Sequence, residues 1–184
     1  MNFNAHLNLE GQHAFLSASK YHWINYNDEK LDISFVKYLA NIHGTRLHAF
    51  AAEAVRLGEK LEKSKRTLNL YVNDAIGYKM TTEQPLYYSE NCFGTPDAIC
   101  FRRNFLRIHD LKTGVIPASM DQLMVYVALF CLEYGVQPED IKIELRLYQS
   151  NEIIVYTPLP EDVRSIMEKI IIFDKRIEKI KNGE

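Results

Sequence analysis

The chain has 184 residues, 47% hydrophobic and 25% charged, which is the profile of one ordinary globular domain and leaves no room for a second of similar size. Its 22 Lys and Arg stand against 24 Asp and Glu, so no overall basic field announces nucleic acid, and any such role must rest on local sites. No apolar run approaches a bilayer span and the N-terminus lacks a signal-peptide layout, while three cysteines without C-x-x-C spacing argue against a disulfide framework or zinc ribbon. The expectation is a cytoplasmic protein with no membrane association.

Residues 1–43 read as a helical lead-in, in which Leu16-Ser17-Ala18-Ser19 predicts a Ser-capped helical turn that packs Trp23 inward. From Asp32, the spacing of Phe35, Val36 and Leu39 predicts a helix interrupted at Gly44-Thr45. It resumes with Leu47, Phe50, Ala51, Ala54, Leu57 and Leu61 on one face. Lys60, Lys63, Lys65 and Arg66 then read as a solvated basic helix end. A short helix over 73–80 precedes extended stretches at 86–92, 98–102 and 105–111, the last two forming a hairpin that turns at Arg103-Asn104. An apolar helix over 120–133 is stopped by Gly135. Residues 141–148 alternate as a strand, and after a turn at Ser150-Asn151 residues 153–157 pair back onto it. The segment 158–184 is a C-terminal helix with Val163, Ile166, Met167, Ile170 and Phe173 on one face. The predicted class is α/β (α+β), a central mixed sheet flanked by helices, within one domain whose core spans 44–157.

The sharpest local feature is Gly94-Thr95-Pro96-Asp97 followed by Asp110-Leu111-Lys112. Asp97 sits at the start of one hairpin strand. The period of two places Leu106, Ile108, Asp110 and Lys112 on a common face of the other, with Asp110 and Lys112 about 6.6 Å apart by strand rise. A carboxylate and an ammonium at the end of a buried apolar face must pair with each other or serve a ligand, and two converging carboxylates ask for a cation. Oxygen ligands suit Mg²⁺ or Mn²⁺ better than zinc. Two carboxylates, a hard metal and a lysine are the parts of phosphodiester hydrolysis, although D-x-K alone also reads as a plain ion pair. Gly44-Thr45-Arg46-Leu47-His48 places an imidazole early in the amphipathic helix, where a lone His reads as a surface or capping residue. Gln122 and Tyr126 share a helix face at i and i+4. Arg102, Arg103 and Arg107 cluster on the hairpin, either as a solvated turn or as contacts to DNA phosphates.

Taken in order, G-T-x-x-H, G-x-x-D, D-x-K and Q-x-x-x-Y resemble the motif series of the PD-(D/E)XK nuclease superfamily, specifically its RecB-like exonuclease branch, from Gly44 to Tyr126. The resemblance implies a restriction-endonuclease-like αβββαβ core and a Mg²⁺- or Mn²⁺-dependent deoxyribonuclease, an exonuclease before an endonuclease, in phage or bacterial DNA recombination, replication or repair. It implies that Asp97, Asp110, the Leu111 carbonyl and His48 bind the metal and that Lys112 is the catalytic lysine. Gln122 and Tyr126 would position the DNA end, and Arg102 and Arg103 would add phosphate contacts. Glu53 is a further candidate ligand, but five residues after His48 it lies about 140° round the helix, and a surface role is equally open. The cysteine positions lack the spacing of the iron–sulfur cluster found in some RecB-like nucleases, so no cluster is expected. The enzyme would work alone, as a homo-oligomer or with a separate recombination or replication protein. The alternative is a non-catalytic nucleic-acid-binding or assembly module on the same fold, against which the intact His48, Asp97, Asp110 and Lys112 argue.

Overall fold

The computed structural model describes residues 14–183, so the start of the expected lead-in, residues 1–13, lies outside the described residues. Two compact units divide the chain, Met1–Thr45 and Arg46–Glu184.

In the first unit, Ala18–Asn25 forms tight 3₁₀ turns with a kink at Lys20. Ser17 stands at the cap position but makes no side-chain cap bond. Its hydroxyl pairs with Ser19 at 2.8 Å, and its carbonyl accepts the Trp23 indole N–H at 3.0 Å. The expected serine cap is therefore corrected to a backbone tether of the indole. Phe15 packs against Phe35 and Tyr38 with ring centroids 5.1 and 5.2 Å away. Helix α1 (Asp28–Leu57) opens with Asp28 and Glu29 at its positive pole. It runs through Gly44-Thr45 without the expected interruption. Glycine within a helix costs only about 1 kcal/mol, and the Thr45 hydroxyl donates back to the Asn41 carbonyl at 3.0 Å.

In the second unit, α1 buries Ala51, Ala52, Ala54 and Val55 while Phe50 and Leu57 are exposed, and it stops at Gly58, whose φ of 70° only glycine adopts without strain. Leu61 and the basic residues 60–66 therefore lie in the connection to α2 (Thr67–Gly77), which starts at Thr67 and not at 73. Residues 86–92 are not one strand. A short β1 (Thr81–Thr82) comes first, then β2 (Leu86–Ser89) and β3 (Cys92–Gly94) pair as a two-stranded sheet of their own. There follow β4 (Ala98–Arg102), β5 (Phe105–Leu111), α3 (Asp121–Tyr134), β6 (Lys142–Gln149), β7 (Glu152–Tyr156) and α4 (Pro160–Lys181).

The main sheet has the order β1-β4-β5-β6-β7 and is mixed. Its pairs are antiparallel except β5 with β6, which run parallel and are joined through α3. The two hairpin turns of the main sheet, Arg103-Asn104 and Ser150-Asn151, carry positive φ at both central residues, the backbone twist that two-residue hairpins favour. On one face Ile99, Leu106, Ile108, Leu145 and Leu147 meet Leu123 and Val127 of α3 and Val163 of α4. On the other, Ala98, Leu111 and Tyr148 meet Tyr71, Val72 and Ala75 of α2 and Ala51, Ala54 and Val55 of α1. The result is a mixed α/β fold in which helices cover both faces of a five-stranded sheet, bringing the start of β4 and the end of β5 together between two apolar layers. Among the described residues no helix is long and apolar enough to cross a membrane.

Candidate active site

The β4–β5 register pairs Ala98 with His109, so Asp97 stands across from Asp110 at the same end of the hairpin. Asp97 bridges two elements. Its Oδ2 accepts the Leu111 N–H at 2.8 Å, and its Oδ1 lies 3.2 Å from His48 Nδ1 on α1. Asp110 shares a face of β5 with Leu106 and Ile108 and is only 2% exposed. The Lys112 ammonium lies 2.9 Å from Asp110 Oδ2. That contact is close enough for an ion pair but misaligned for a hydrogen bond, so Oδ2 is a buried oxygen without a properly directed donor. Lys112 keeps the strand register because its N–H donates to the Tyr148 carbonyl at 2.9 Å.

Burial sets the electrostatics. Asp110 is pushed up to about 6, first because desolvation penalises its anion and then because Asp97 repels it, with Lys112 and His48 opposing. His48 moves above the ordinary imidazole value, chiefly through its hydrogen bond to Asp97 and against the pull of burial. Tyr71 of α2 is driven up by burial and then by the charges of Asp97 and Asp110. The carboxylates and these three neighbours thus form one coupled cluster in which negative charge is held at a cost.

A second layer runs from the lysine back to the Asp97 loop. Lys112 Nζ donates to Gln122 Oε1 at 2.8 Å, Gln122 Nε2 donates to the Tyr126 hydroxyl at 2.9 Å, and that hydroxyl donates to the Thr95 carbonyl at 3.0 Å. The i, i+4 spacing on α3 that sequence reasoning singled out therefore ties the lysine to the G-T-P-D turn. It also explains the glycine of that turn, since a Cβ on Gly94 would come within 2.8 Å of the Tyr126 ring.

Of the residues singled out in the sequence, His48, Asp97, Asp110, Leu111, Lys112, Gln122 and Tyr126 converge here. Glu53 does not: it pairs with Arg56 at 3.2 Å, and Arg56 reaches Glu83 at 3.8 Å. Arg102 and Arg103 sit at the far end of the hairpin, about 17 Å from Asp110 by strand rise, where with Arg107, Phe105 and Lys142 they line a groove of about 670 Å³. His109, on the opposite side of β5 from Asp110, is fully buried. Its Nδ1 lies 3.2 Å from the Tyr148 hydroxyl, which donates to Asp74 at 2.8 Å, and burial lowers its pKa to about 3. Sequence reasoning missed Tyr71, Thr95 and Tyr148. Two of these act through main-chain oxygens, which no side-chain motif encodes, and Tyr71 looks like any apolar-face residue of its helix.

The donor set, one imidazole, two carboxylates and the Leu111 carbonyl, fits a hard divalent cation, and the buried Asp110 Oδ2 is an oxygen that such an ion would satisfy. As they stand these groups are engaged in two pairs, His48 with Asp97 and Lys112 with Asp110. Among the described residues no three His, Cys, Asp or Glu side chains are already gathered around one point. Ion binding therefore entails opening those pairs. No family model matches the chain, and no curated protein matches it in sequence.

Proposed function

We propose that this chain is a divalent-metal-dependent deoxyribonuclease of the RecB-like PD-(D/E)XK kind, acting as an exonuclease. The observation that carries the reading is the meeting of Asp97, Asp110, His48 and Lys112 at one end of the β4–β5 hairpin, with a buried carboxylate oxygen lacking an aligned donor. The antiparallel hairpin followed by α3 and the parallel β6 supports the αβββαβ reading. Asp97, Asp110, the Leu111 carbonyl and His48 would hold Mg²⁺ or Mn²⁺. When bound, that ion would polarise a phosphodiester and make water more acidic.

The chain's own residues do the rest. Lys112, aimed by Gln122 and held in strand register by the Tyr148 carbonyl, presents a cation to the attacking water and to the charge that gathers on phosphorus. The water oxygen bonds to phosphorus and releases one proton to solvent, the P–O ester bond breaks, and the leaving oxygen takes a proton from solvent. Tyr126 locks Gln122 and the Thr95 turn, so that Lys112 and Asp97 keep a fixed separation.

Linear and covalently closed circular DNA of the same sequence, incubated with Mn²⁺, test this. An exonuclease degrades the linear form and spares the circle. Degradation of both forms would make the protein an endonuclease, and degradation of neither would remove the enzymatic reading.

A further inference from the structure

The segment between Lys112 and Gln122 leaves the site and returns to it, because its two ends are joined by the 2.8 Å bond from the lysine ammonium to the glutamine carbonyl oxygen. At its tip stand Val115 and Ile116, 87% and 80% exposed, the barest large apolar side chains among the described residues. Exposure of two branched apolar side chains at a loop tip brings the fold nothing.

The loop's path is nonetheless fixed. The amide of Gln149, itself buried at the end of β6, donates from Nε2 to the carbonyls of Gly114 and Ile116, both at 2.7 Å, and accepts the Ala118 N–H on Oε1 at 3.1 Å. Three hydrogen bonds from one buried side chain hold an apolar tip in water, a few residues from the lysine. Chain length alone keeps the Val115 Cα within about 11 Å of the Lys112 Cα.

From this geometry we infer that Val115 and Ile116 are a nucleobase-contacting wedge at the rim of the site. The inference rests on the nuclease reading above. A substrate whose phosphate reaches Lys112 carries a sugar and a base beside it, and the apolar surface such a ligand offers to the rim is the face of that base. Aliphatic side chains inserted against base faces unstack the neighbouring step, a loss repaid by the apolar area covered. The wedge selects where along a strand the scissile phosphate stops, by packing one base against the loop.

The test uses the full chain carrying Asp110→Asn, which keeps the Lys112–Gln122 bond, so that DNA is bound and not cut, with and without Val115→Ser/Ile116→Ser. The probes are single strands in which one nucleotide at a time near the labelled end is replaced by an abasic one. The expected result is one position at which removing the base weakens binding about tenfold to the protein with the native loop and not at all to the serine variant. Val115→Ala/Ile116→Ala repeats the measurement should the serine variant fold poorly. Equal losses in both proteins, or no loss at any position, overturn the wedge; if the chain with native Asp110 still cuts DNA, the nuclease reading survives that result. A change in oligomeric mass on serine substitution, with unchanged DNA binding, also overturns it and makes the tip a self-association surface. If the unsubstituted chain neither binds nor cuts DNA, the nuclease reading falls and the wedge with it.

Discussion

Replacing Asp110 by Asn should make the metal-free protein more stable at neutral pH while abolishing the proposed cleavage. The Asp110 carboxyl has an ordinary value of 3.8 and is raised to about 6 in the folded chain, so keeping its anion in the buried site costs about 3 kcal/mol at pH above 7. For a group raised in this way, its contribution to stability is fully present below pH 3.8 and is lost as pH climbs through 6. Asn keeps the shape without the charge, and Lys112 retains Gln122 as a partner when its carboxylate is gone. Urea unfolding in chelator at pH 7.5 should find Asp110→Asn more stable by up to about 3 kcal/mol, or about 6–12 °C in melting temperature for a chain of this size. At pH 4 the difference should shrink towards zero. Mn²⁺ should narrow the gap at pH 7.5 by stabilising only the native carboxylate. A variant less stable than the native chain at pH 7.5, or a gap that does not narrow with acid, would refute the argument that burial of this charge is what the fold sustains for its chemistry.

Other expectations follow from the same geometry. Gly94→Ala should destabilise by about 1–3 kcal/mol and slow cleavage, because the new methyl displaces the Tyr126 ring and with it the Gln122–Lys112 bond; unchanged unfolding and unchanged rate would remove the close approach from the account. His109 has the opposite sign to Asp110: its native value of about 3 lies below the ordinary 6.5, so its stability is present above pH 6.5 and is lost by about 1.4 kcal/mol per unit as pH falls towards 3. The stability difference between the native chain and His109→Gln, followed by urea unfolding from pH 7 to pH 4, should therefore decline with acid, and a flat difference would contradict it. His48 must shed a proton held by Asp97 before it can bind an ion, so Mn²⁺ affinity by titration calorimetry should rise with pH across and above the ordinary imidazole range; His48→Gln should flatten that rise, and an unaltered profile would take His48 out of the ligand set.

The site was more legible in the sequence than the scaffold around it, for identifiable reasons. Leu106 and Ile108, four and two residues before Asp110, announce which face of β5 it shares, and the two-residue turn at Arg103-Asn104 fixes the hairpin register that sets Asp97 opposite it. The i, i+4 spacing of Gln122 and Tyr126 is equally unambiguous once α3 is recognised, yet their partners are a lysine on another element and a main-chain carbonyl, and neither leaves a pattern. The helix α1 was hidden because Gly44-Thr45 has the composition of a break, although a single internal glycine is too weak to end a helix already propagating. The β2–β3 hairpin was hidden because Glu90-Asn91 lacks the glycine that normally marks so tight a reversal, and the carboxylates of Asp174 and Glu178 on α4 hold the turn in its place through Asn91 and Ser89. The same period of two puts His109 on the face opposite Asp110 but leaves no sign that α2 covers that face.

The central claim is tested most directly by end-labelled DNA incubated with Mg²⁺, with Mn²⁺ and with chelator, the native chain beside Asp110→Asn. The account predicts metal-dependent shortening from one end by the native chain, none in chelator, and none by the folded variant; cleavage that persists in chelator, or an Asp110→Asn protein that cuts at the native rate, would contradict it.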